Sequence, residues 1–210
     1  EREIGIGSNN IKAVYVDEQK SLVYIGTHAG GLTVLHRNSG QMESFNQLNS
    51  QLVNENVYAI LPDKEGSILL GTLSALVSFN PEKRSFTTID KEKDGTPFTS
   101  QRITILFRDS RKRLWIGGEE GISVFQQEGI EIEKAPILPE SSVTKMFTNC
   151  IYEAANGIIW VGTREGFYCF NEKEKKIKRY TTANGLPNNV VYGILEDTFG
   201  RLWVSTNSGI

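Results

Sequence analysis

Five side chains that could bind a polar ligand stand at or near the ends of predicted strands: His28, Tyr58, Arg102, Arg164 and Tyr192. Aromatic rings flanked by amide and guanidinium donors suit a glycan, since a ring packs on apolar surface while the donors bind hydroxyl groups. The Asn residues that accompany them have a simpler explanation, because Asn in a linker usually caps a turn. We therefore predict a ligand site built from these five residues.

Residues for metal binding or catalysis are sparse. His28 and His36 are the two histidines of the chain, and neither stands beside a Cys or carboxylate cluster, so we predict no metal site and no cofactor. The sequence lacks Gly-x-Ser-x-Gly and His-Glu-x-x-His strings. Its predicted inner strands carry only two acids, Glu153 and Glu196, near their far ends. This segment is therefore not predicted to be an enzyme.

The overall charge argues against one class of partner. The 210 residues include 23 Lys and Arg against 25 Asp and Glu, whereas nucleic-acid-binding surfaces carry a clustered excess of cations. We predict no nucleic-acid partner for this segment. The hydrophobic content of 39% is enough for a packed core, and no apolar run approaches the roughly 18 residues of a membrane-spanning helix.

A repeat sets the elements that must position these residues. Five strings are near copies of one another, and the small residue after their hydrophobic triplet recurs every 43 to 46 residues. The strings are LVYIGT (22–27), ILLGT (68–72), LWIGG (114–118), IIWVGT (158–163) and LWVST (202–206). A period of this size indicates a repeat architecture, in which neighbouring copies bury each other's apolar residues.

Each copy contains four extended segments, which we call strands A to D, and the strings above are strand B. Strand A precedes strand B across a short turn such as Asp109-Ser-Arg-Lys112, where Asp can bond its own backbone. Strands C and D follow after further polar turns. The predicted A strands begin at Ile11, Val57, Ile103, Thr148 and Val191. Four short antiparallel strands in about 45 residues are typical of one blade of a β-propeller.

The chain is thus predicted to be all-β: a β-propeller of four-stranded antiparallel blades, present as an incomplete ring of four full blades plus part of a fifth. Residues 1–210 would form one partial domain. Residues 1–10 are assigned to the end of a preceding blade and a linker, and 189–210 to strands A and B of a further blade. The full blades are predicted at 11–53, 54–99, 100–145 and 146–188.

One slot of strand B holds a column of large side chains: Tyr24, Leu69, Trp115, Trp160 and Trp203. A residue in a fixed slot of every copy usually serves the repeat itself. We therefore expect these side chains to pack one blade against the next rather than to stack on a sugar.

The order of the strands predicts where the candidate residues lie. The chain enters strand A and turns from B to C at the same end of a blade, so the D-to-A linkers and the B-to-C turns lie together. His28 and Arg164 come from B-to-C turns, and Tyr58, Arg102 and Tyr192 from the linker side. We call this the linker end of a blade. The end with the A-to-B and C-to-D turns is the turn end.

The last two copies carry a family resemblance. The strings GLPNNVVYGILEDTFGRLWVSTNSGI and GIIWVGTREGFYCFNEKEKKIKRYTTANGLPNN resemble the two-component regulator propeller repeat. Its most specific parts are the Asp-x-x-Gly turn, the Trp-aliphatic-Gly-Thr string and the Gly-Leu-Pro-x-Asn linker. The resemblance spans nearly the whole chain. Among its departures, Leu69 replaces Trp, Ala154 replaces the turn Asp, and Gly118 replaces Thr.

The resemblance implies a ligand sensor, the periplasmic region of a hybrid sensor histidine kinase of the inner membrane. Members of the family usually carry two propellers and an immunoglobulin-like domain ahead of a membrane helix and a kinase core. The implied ligand is a small molecule or oligosaccharide, and a homodimer of the parent chain is expected. Two alternatives stay open: a propeller that only docks proteins, and a propeller lyase or glycosidase.

Overall fold

Strands provide most of the regular structure. The computed structural model describes residues 5–96, 102–119, 121–135, 146–174 and 176–210. Within this part of the chain, no helix is long and apolar enough to cross a bilayer. Short 3-10 turns occur at Lys64–Gly66 and Thr182–Asn184. The strands are β1 (Ile11–Asp17), β2 (Leu22–Thr27), β3 (Leu32–His36), β4 (Met42–Phe45), β5 (Val57–Pro62), β6 (Ile68–Thr72), β7 (Leu76–Asn80), β8 (Ser85–Ile89), β9 (Ile103–Arg108), β10 (Leu114–Gly118), β11 (Gly121–Glu128), β12 (Glu131–Lys134), β13 (Thr148–Glu153), β14 (Ile159–Thr163), β15 (Phe167–Asn171), β16 (Lys176–Tyr180), β17 (Val191–Glu196) and β18 (Leu202–Thr206).

The strands pair in sequence order. β1 to β4, β5 to β8, β9 to β12 and β13 to β16 each form a four-stranded sheet whose neighbours are consecutive in the chain, and β17 pairs with β18. The ladders are antiparallel, as in β1 with β2 and β2 with β3. We call these sheets blades 1 to 5. The chain is therefore all-β and built from four-stranded propeller blades with two strands of a fifth, which confirms the predicted fold class.

The B strands match the repeated strings closely. β2, β6, β10 and β18 have the predicted bounds, and β14 lacks only Ile158. β12 begins at Glu131, after a turn in which Gly129 has a φ of +61°, and the turn after Asp63 closes as a 3-10 turn. The predicted blade boundaries at 99/100 and 145/146, and residues 1–4, fall outside the described residues.

The chain divides into two compact units. The first comprises Glu1–Leu106 with Gln127–Glu133, and the second Phe107–Gln126 with Lys134–Ile210. Each unit has an apolar core to which two successive blades contribute. The core of the first unit includes Tyr24, Leu32, Phe45, Val57, Leu70 and Phe79. The core of the second includes Trp115, Val124, Ile159, Val161, Tyr168 and Phe170.

A glycine of strand B marks the closest approach of successive blades. A Cβ atom built on Gly71 would lie 2.6 Å from Ile103 Cγ2 and 2.9 Å from Ile103 O, at the start of the next A strand. A Cβ atom on Gly26 would lie 2.8 Å from Val57 Cγ1, and Gly162 is equally crowded. The small residue of the repeated string is therefore required by packing, because a side chain there would meet the neighbouring strand.

Two aromatic side chains of the strand B slot pack between blades. Tyr24 is fully buried and belongs to a core shared with Leu70 of blade 2. Trp115 is 1% exposed and meets Phe170 of blade 4 edge-on, with ring centroids 6.3 Å apart. Leu69, in the same slot of blade 2, is also fully buried. The prediction that this slot packs one blade against the next is confirmed for Tyr24 and Trp115.

The later copies of the slot are more open. Trp160 is half-buried and stacks on Phe167 of its own blade, with centroids 4.7 Å apart and planes 14° apart. Trp203 is 49% exposed, and Leu195 beside it on β17 is 64% exposed. The described residues include only two strands of blade 5 and no blade after it, so packing between blades stays a prediction for Trp203. The burial of a Trp ring depends on the residues that pack against it. Those residues lie outside the repeated string that contains the Trp, so the string alone does not predict burial.

Tyr24 has an unsatisfied polar group. Its hydroxyl is buried without a hydrogen-bond partner among the described residues, whereas Trp115 in the same slot donates to Asp109. Burial, the charge of Asp17 and the neighbouring Tyr15 raise the pKa of Tyr24 to about 12. We expect Tyr24→Phe to increase the free energy of unfolding by about 1 kcal/mol, because it removes an unpaired buried hydroxyl. Urea titration measures the change, and a loss of stability would contradict the assignment.

Candidate functional site

A β-bulge recurs in strand A near the linker end. The register of blade 1 passes from Ile11 opposite Thr27 to Ala13 opposite Gly26, so that Lys12 is an extra residue. A bulge re-aims the side chain at the extra position, and bulges are common next to binding sites. The corresponding extra residues of blades 2, 4 and 5 are Tyr58, Asn149 and Tyr192.

His28, Tyr58 and Arg102 lie together at the linker end of the first unit. His28 Nδ1 is 3.3 Å from Tyr58 Oη, and the two rings are 6.3 Å apart between centroids. The guanidinium carbon of Arg102 lies 5.6 Å from the centre of the Tyr58 ring. His28 is exposed, and the other two are half-buried. The structure thus brings three of the predicted site residues into one group, which we call the Tyr58 cluster.

Backbone contacts hold this cluster in place. Ala29, next to His28, donates its N–H to Asn56 Oδ1 at 3.1 Å. Arg102 donates its N–H to Leu73 O at 2.8 Å, and its φ is +45°. A positive φ is uncommon for a residue with a side chain and persists where the surroundings impose it. The linker and the B-to-C turn are therefore tied together at this cluster.

Two of the linker Asn residues cap turns, as predicted. Asn54 Oδ1 accepts the N–H of Asn56 at 2.9 Å, and Asn188 Oδ1 accepts the N–H of Val190 at 2.9 Å. In both cases the acceptor side chain and the donor are two residues apart, which is the Asx-turn geometry. These amide oxygens are engaged by the backbone of their own linkers.

Arg164 and Tyr192 belong to the second unit. The guanidinium carbon of Arg164 lies 3.8 Å from the centre of the Phe147 ring. The backbone N–H of Arg164 donates to Phe147 O at 3.2 Å. Tyr192 is 54% exposed. No hydrogen bond or ring contact joins Arg164 to Tyr192 within the described chain. Arg164 and Tyr192 therefore stay separate predicted ligand contacts and do not form a cluster.

Sequence reasoning missed a network at the turn end. Asp109 Oδ2 accepts from Arg113 Nε at 2.6 Å and from Trp115 Nε1 at 2.8 Å. Its Oδ1 accepts the backbone N–H groups of Arg111 and Arg113. Blade 5 repeats this arrangement with Asp197, Arg201 and Trp203. The signal was present in the sequence as Asp-x-x-x-Arg-x-Trp in both copies.

The two acids at the ends of A strands are turn caps. Glu153 accepts the backbone N–H and the hydroxyl of Ser110, each at 2.7 Å, from the A-to-B turn of blade 3. Glu196 Oε2 accepts from Ala155 N at 2.9 Å and from Tyr152 Oη at 3.2 Å, both in blade 4. Each carboxylate thus joins its blade to the preceding one. Their hydrogen bonds hold the turns.

The described residues contain no group of three or more His, Cys, Asp or Glu side chains that could hold a metal ion. Cys150 and Cys169 are unpaired thiols. Burial raises the pKa of the Cys150 thiol to about 12. Because the thiolate is the reactive form, we expect the half-buried Cys150 to be a poor nucleophile.

These blades define the chain as a segment of a β-propeller repeat protein. Comparison with known families agrees: the family model described as "Two component regulator propeller" matches residues 141–165 and 185–208. These two segments are therefore similar to two-component regulator propeller repeats, which confirms the resemblance read from the last two copies.

The names of similar proteins refer to a histidine kinase and to one-component and two-component systems. Histidine kinase P4 of Formosa agariphila is 28% identical over 227 residues, a match that covers 100% of this chain but 16% of the kinase. The extracellular domain of the one component system BT4673 from B. thetaiotaomicron has a TM-score of 0.78 at 21% identity, covering 96% of this chain and 27% of that one. For the hybrid two component system BT3049 of the same organism the TM-score is 0.72 at 20% identity, with 98% and 27% covered. At these identities the two structures show the fold.

Proposed function

We propose that this chain is part of the extracytoplasmic sensor region of a hybrid two-component histidine kinase, and that it binds a carbohydrate or oligosaccharide at the Tyr58 cluster. The parent protein would lie in the inner membrane, with this region in the periplasm, and would act as a homodimer with further propeller and immunoglobulin-like domains. Binding would shift the arrangement of the dimer or its domains, by no more than the ligand's differential affinity for the two states.

The names of the relatives support the sensor role. One relative is a histidine kinase, and the solved structures are extracellular domains of signalling systems. The observation that carries the ligand site is the contact of both His28 and Arg102 with Tyr58. A tyrosine ring beside an imidazole and a guanidinium offers an apolar surface and hydrogen-bond donors for sugar hydroxyl groups.

The positions of the acids favour binding over hydrolysis. A glycosidase needs a pair of carboxyl groups that flank the scissile bond, one of them available to donate a proton. Glu153 and Glu196 instead hold the turns of the preceding blades with short hydrogen bonds. A sensing segment needs neither acid for chemistry.

Thermal-shift measurements on the extracytoplasmic region test the proposal with a panel of oligosaccharides. A ligand present at 100 times its Kd stabilises the native state by about 2.7 kcal/mol, enough to raise the melting temperature by several degrees. We expect His28→Ala and Arg102→Gln to abolish the shift caused by the inducing saccharide. Without saccharide, both variants should have the melting temperature of the natural protein, since His28 is exposed and Gln keeps most of the Arg102 stem.

Arg84→Gln is the matched control. Arg84 also has a positive φ, +54°, and is largely exposed, but it precedes β8 at the turn end, where it pairs with Glu43 at 2.8 Å. A shift that survives R84Q and is lost in R102Q supports the site. An unchanged shift in both H28A and R102Q overturns it. If no saccharide raises the melting temperature, protein docking becomes the better function.

A further inference from the structure

A polar cleft opens at the turn end of blades 3 and 4, inside the second unit. It has a volume of about 270 Å³ and lies between the A-to-B turn of blade 3 and both turns of blade 4. Sites for drug-sized ligands hold roughly 300 to 1,000 Å³, so this cleft suits a smaller molecule. Its polar lining includes Arg111, Glu153, Asn156, Asn171, Glu172 and Lys173.

Ion pairs fix the walls of the cleft. Glu172 Oε2 accepts from Arg111 Nη1 at 2.6 Å and from Arg113 Nη1 at 2.9 Å, which ties blade 4 to the turn of blade 3. On the other side, Glu153 holds Ser110 with two hydrogen bonds of 2.7 Å. A site whose walls are already ordered loses little conformational entropy when it binds a ligand.

Hydrogen bonds inside the turns occupy the amide oxygens of two Asn residues that line the cleft. Asn156 Oδ1 accepts the N–H of Ile158 at 3.0 Å, and Asn171 Oδ1 accepts the N–H of Glu174 at 3.2 Å. Each amide therefore keeps its NH₂ group for a ligand. Lys173 makes no ion pair with another described residue and adds an ammonium group.

The charge and composition of the lining select the ligand class. Arg113 is buried and paired with Asp109 and Glu172, so its charge is already neutralised. The cations that a ligand can reach are Lys173 and the exposed part of Arg111, and the lining carboxylates Glu153 and Glu172 already accept hydrogen bonds. The lining residues include no aromatic ring, so a neutral sugar finds no surface to stack on. An anionic group rich in acceptors complements this arrangement, because hydrogen bonds between charged partners are the strong ones.

We infer that the cleft binds the oxyanion of a small ligand: the carboxylate, sulfate or phosphate group of an acidic sugar, or the inorganic anion of the same shape. Lys173 and the exposed guanidinium of Arg111 supply the charge, and the amide groups of Asn156 and Asn171 supply neutral donors. This site shares no residue with the Tyr58 cluster, so its occupancy does not depend on the proposed sensing function.

Isothermal titration calorimetry of the chain at constant ionic strength tests this site. The probes are glucuronate, glucose 6-sulfate, inorganic sulfate, inorganic phosphate and neutral glucose. We expect the anions to bind and glucose not to bind. Tighter binding of the sugar acids identifies an acidic sugar as the ligand, and equal binding identifies a free anion. Absence of anion binding, or binding of glucose with equal affinity, overturns the inference.

Two variants locate the binding. Lys173→Gln is expected to weaken anion affinity about tenfold, as for a lost charge-assisted hydrogen bond. Asn156→Asp keeps the oxygen that caps its turn but replaces the NH₂ donor by negative charge, so we expect at least as large a loss. Lys83→Gln, in the C-to-D turn of blade 2, is the control and should bind as before. Unchanged affinity in both K173Q and N156D overturns the site.

Discussion

We expect Asp109→Ala to lower the free energy of unfolding by about 3 to 5 kcal/mol, since the substitution leaves a buried cation without its main partner. Arg113 is 6% exposed, and its Nε donates to Asp109 Oδ2 at 2.6 Å. The same oxygen accepts from Trp115 Nε1, which is also buried. Urea titration with an unchanged m-value measures the loss.

Blade 5 supplies the control, because it contains the same network in a solvated setting. Asp197 Oδ2 accepts from Arg201 Nε at 2.7 Å and from Trp203 Nε1 at 3.0 Å. The Arg201 side chain is 65% exposed, so water can replace the lost carboxylate. Asp197→Ala should therefore change stability much less than Asp109→Ala. Equal losses would show that burial does not set the strength of this network.

The second large effect is expected at a glycine. Gly71→Ala should lower the free energy of unfolding by about 3 kcal/mol, because the new Cβ would lie 2.6 Å from Ile103 Cγ2 and 2.9 Å from Ile103 O. The oxygen belongs to the backbone of β9, which cannot rotate away as a side chain tip can. Relief requires the whole A strand of blade 3 to move. Urea titration measures the loss as a lower transition midpoint.

Ser205→Ala tests whether the loss of stability comes from any substitution at this position of strand B or from crowding against the next blade. Ser205 holds the same slot in blade 5 and already carries a side chain. Its change to Ala adds no atom, so little loss of stability is expected. If Gly71→Ala left the free energy of unfolding unchanged, β9 must be able to shift. The close approach of strand B to the next A strand would then not explain the repeated glycine.

The proposed function is argued from two candidate binding sites, because the propeller fold alone does not determine a function. Propeller folds host unrelated activities, and the solved neighbours are too distant in sequence to transfer a ligand. The Tyr58 cluster and the cleft at Lys173 differ in chemistry, one with an aromatic ring and the other with a donor-rich polar lining. Their tests use different probes, so either can fail without the other.

Only part of the candidate site could be predicted from the sequence. The positions of His28, Tyr58 and Arg102 at the linker end followed from counting strands, but the register shift that re-aims Tyr58 did not. A bulge depends on how two strands pair, and no residue in the A strands signals it. Glu153 and Glu196 were considered as acids, and the structure shows them as caps of neighbouring turns.

By itself, the sequence determined the repeat, the strands and the glycine slot, because alternating apolar residues, turn-forming Asp and Gly, and a fixed period are local properties of the chain. The tertiary structure decided which copies of the repeated string are buried. Trp115 and Trp203 stand in the same Asp-x-x-x-Arg-x-Trp string, yet one is 1% exposed and the other 49%. The difference arises because burial and charge pairing depend on the strand that packs against a residue, and that strand lies far away in the sequence.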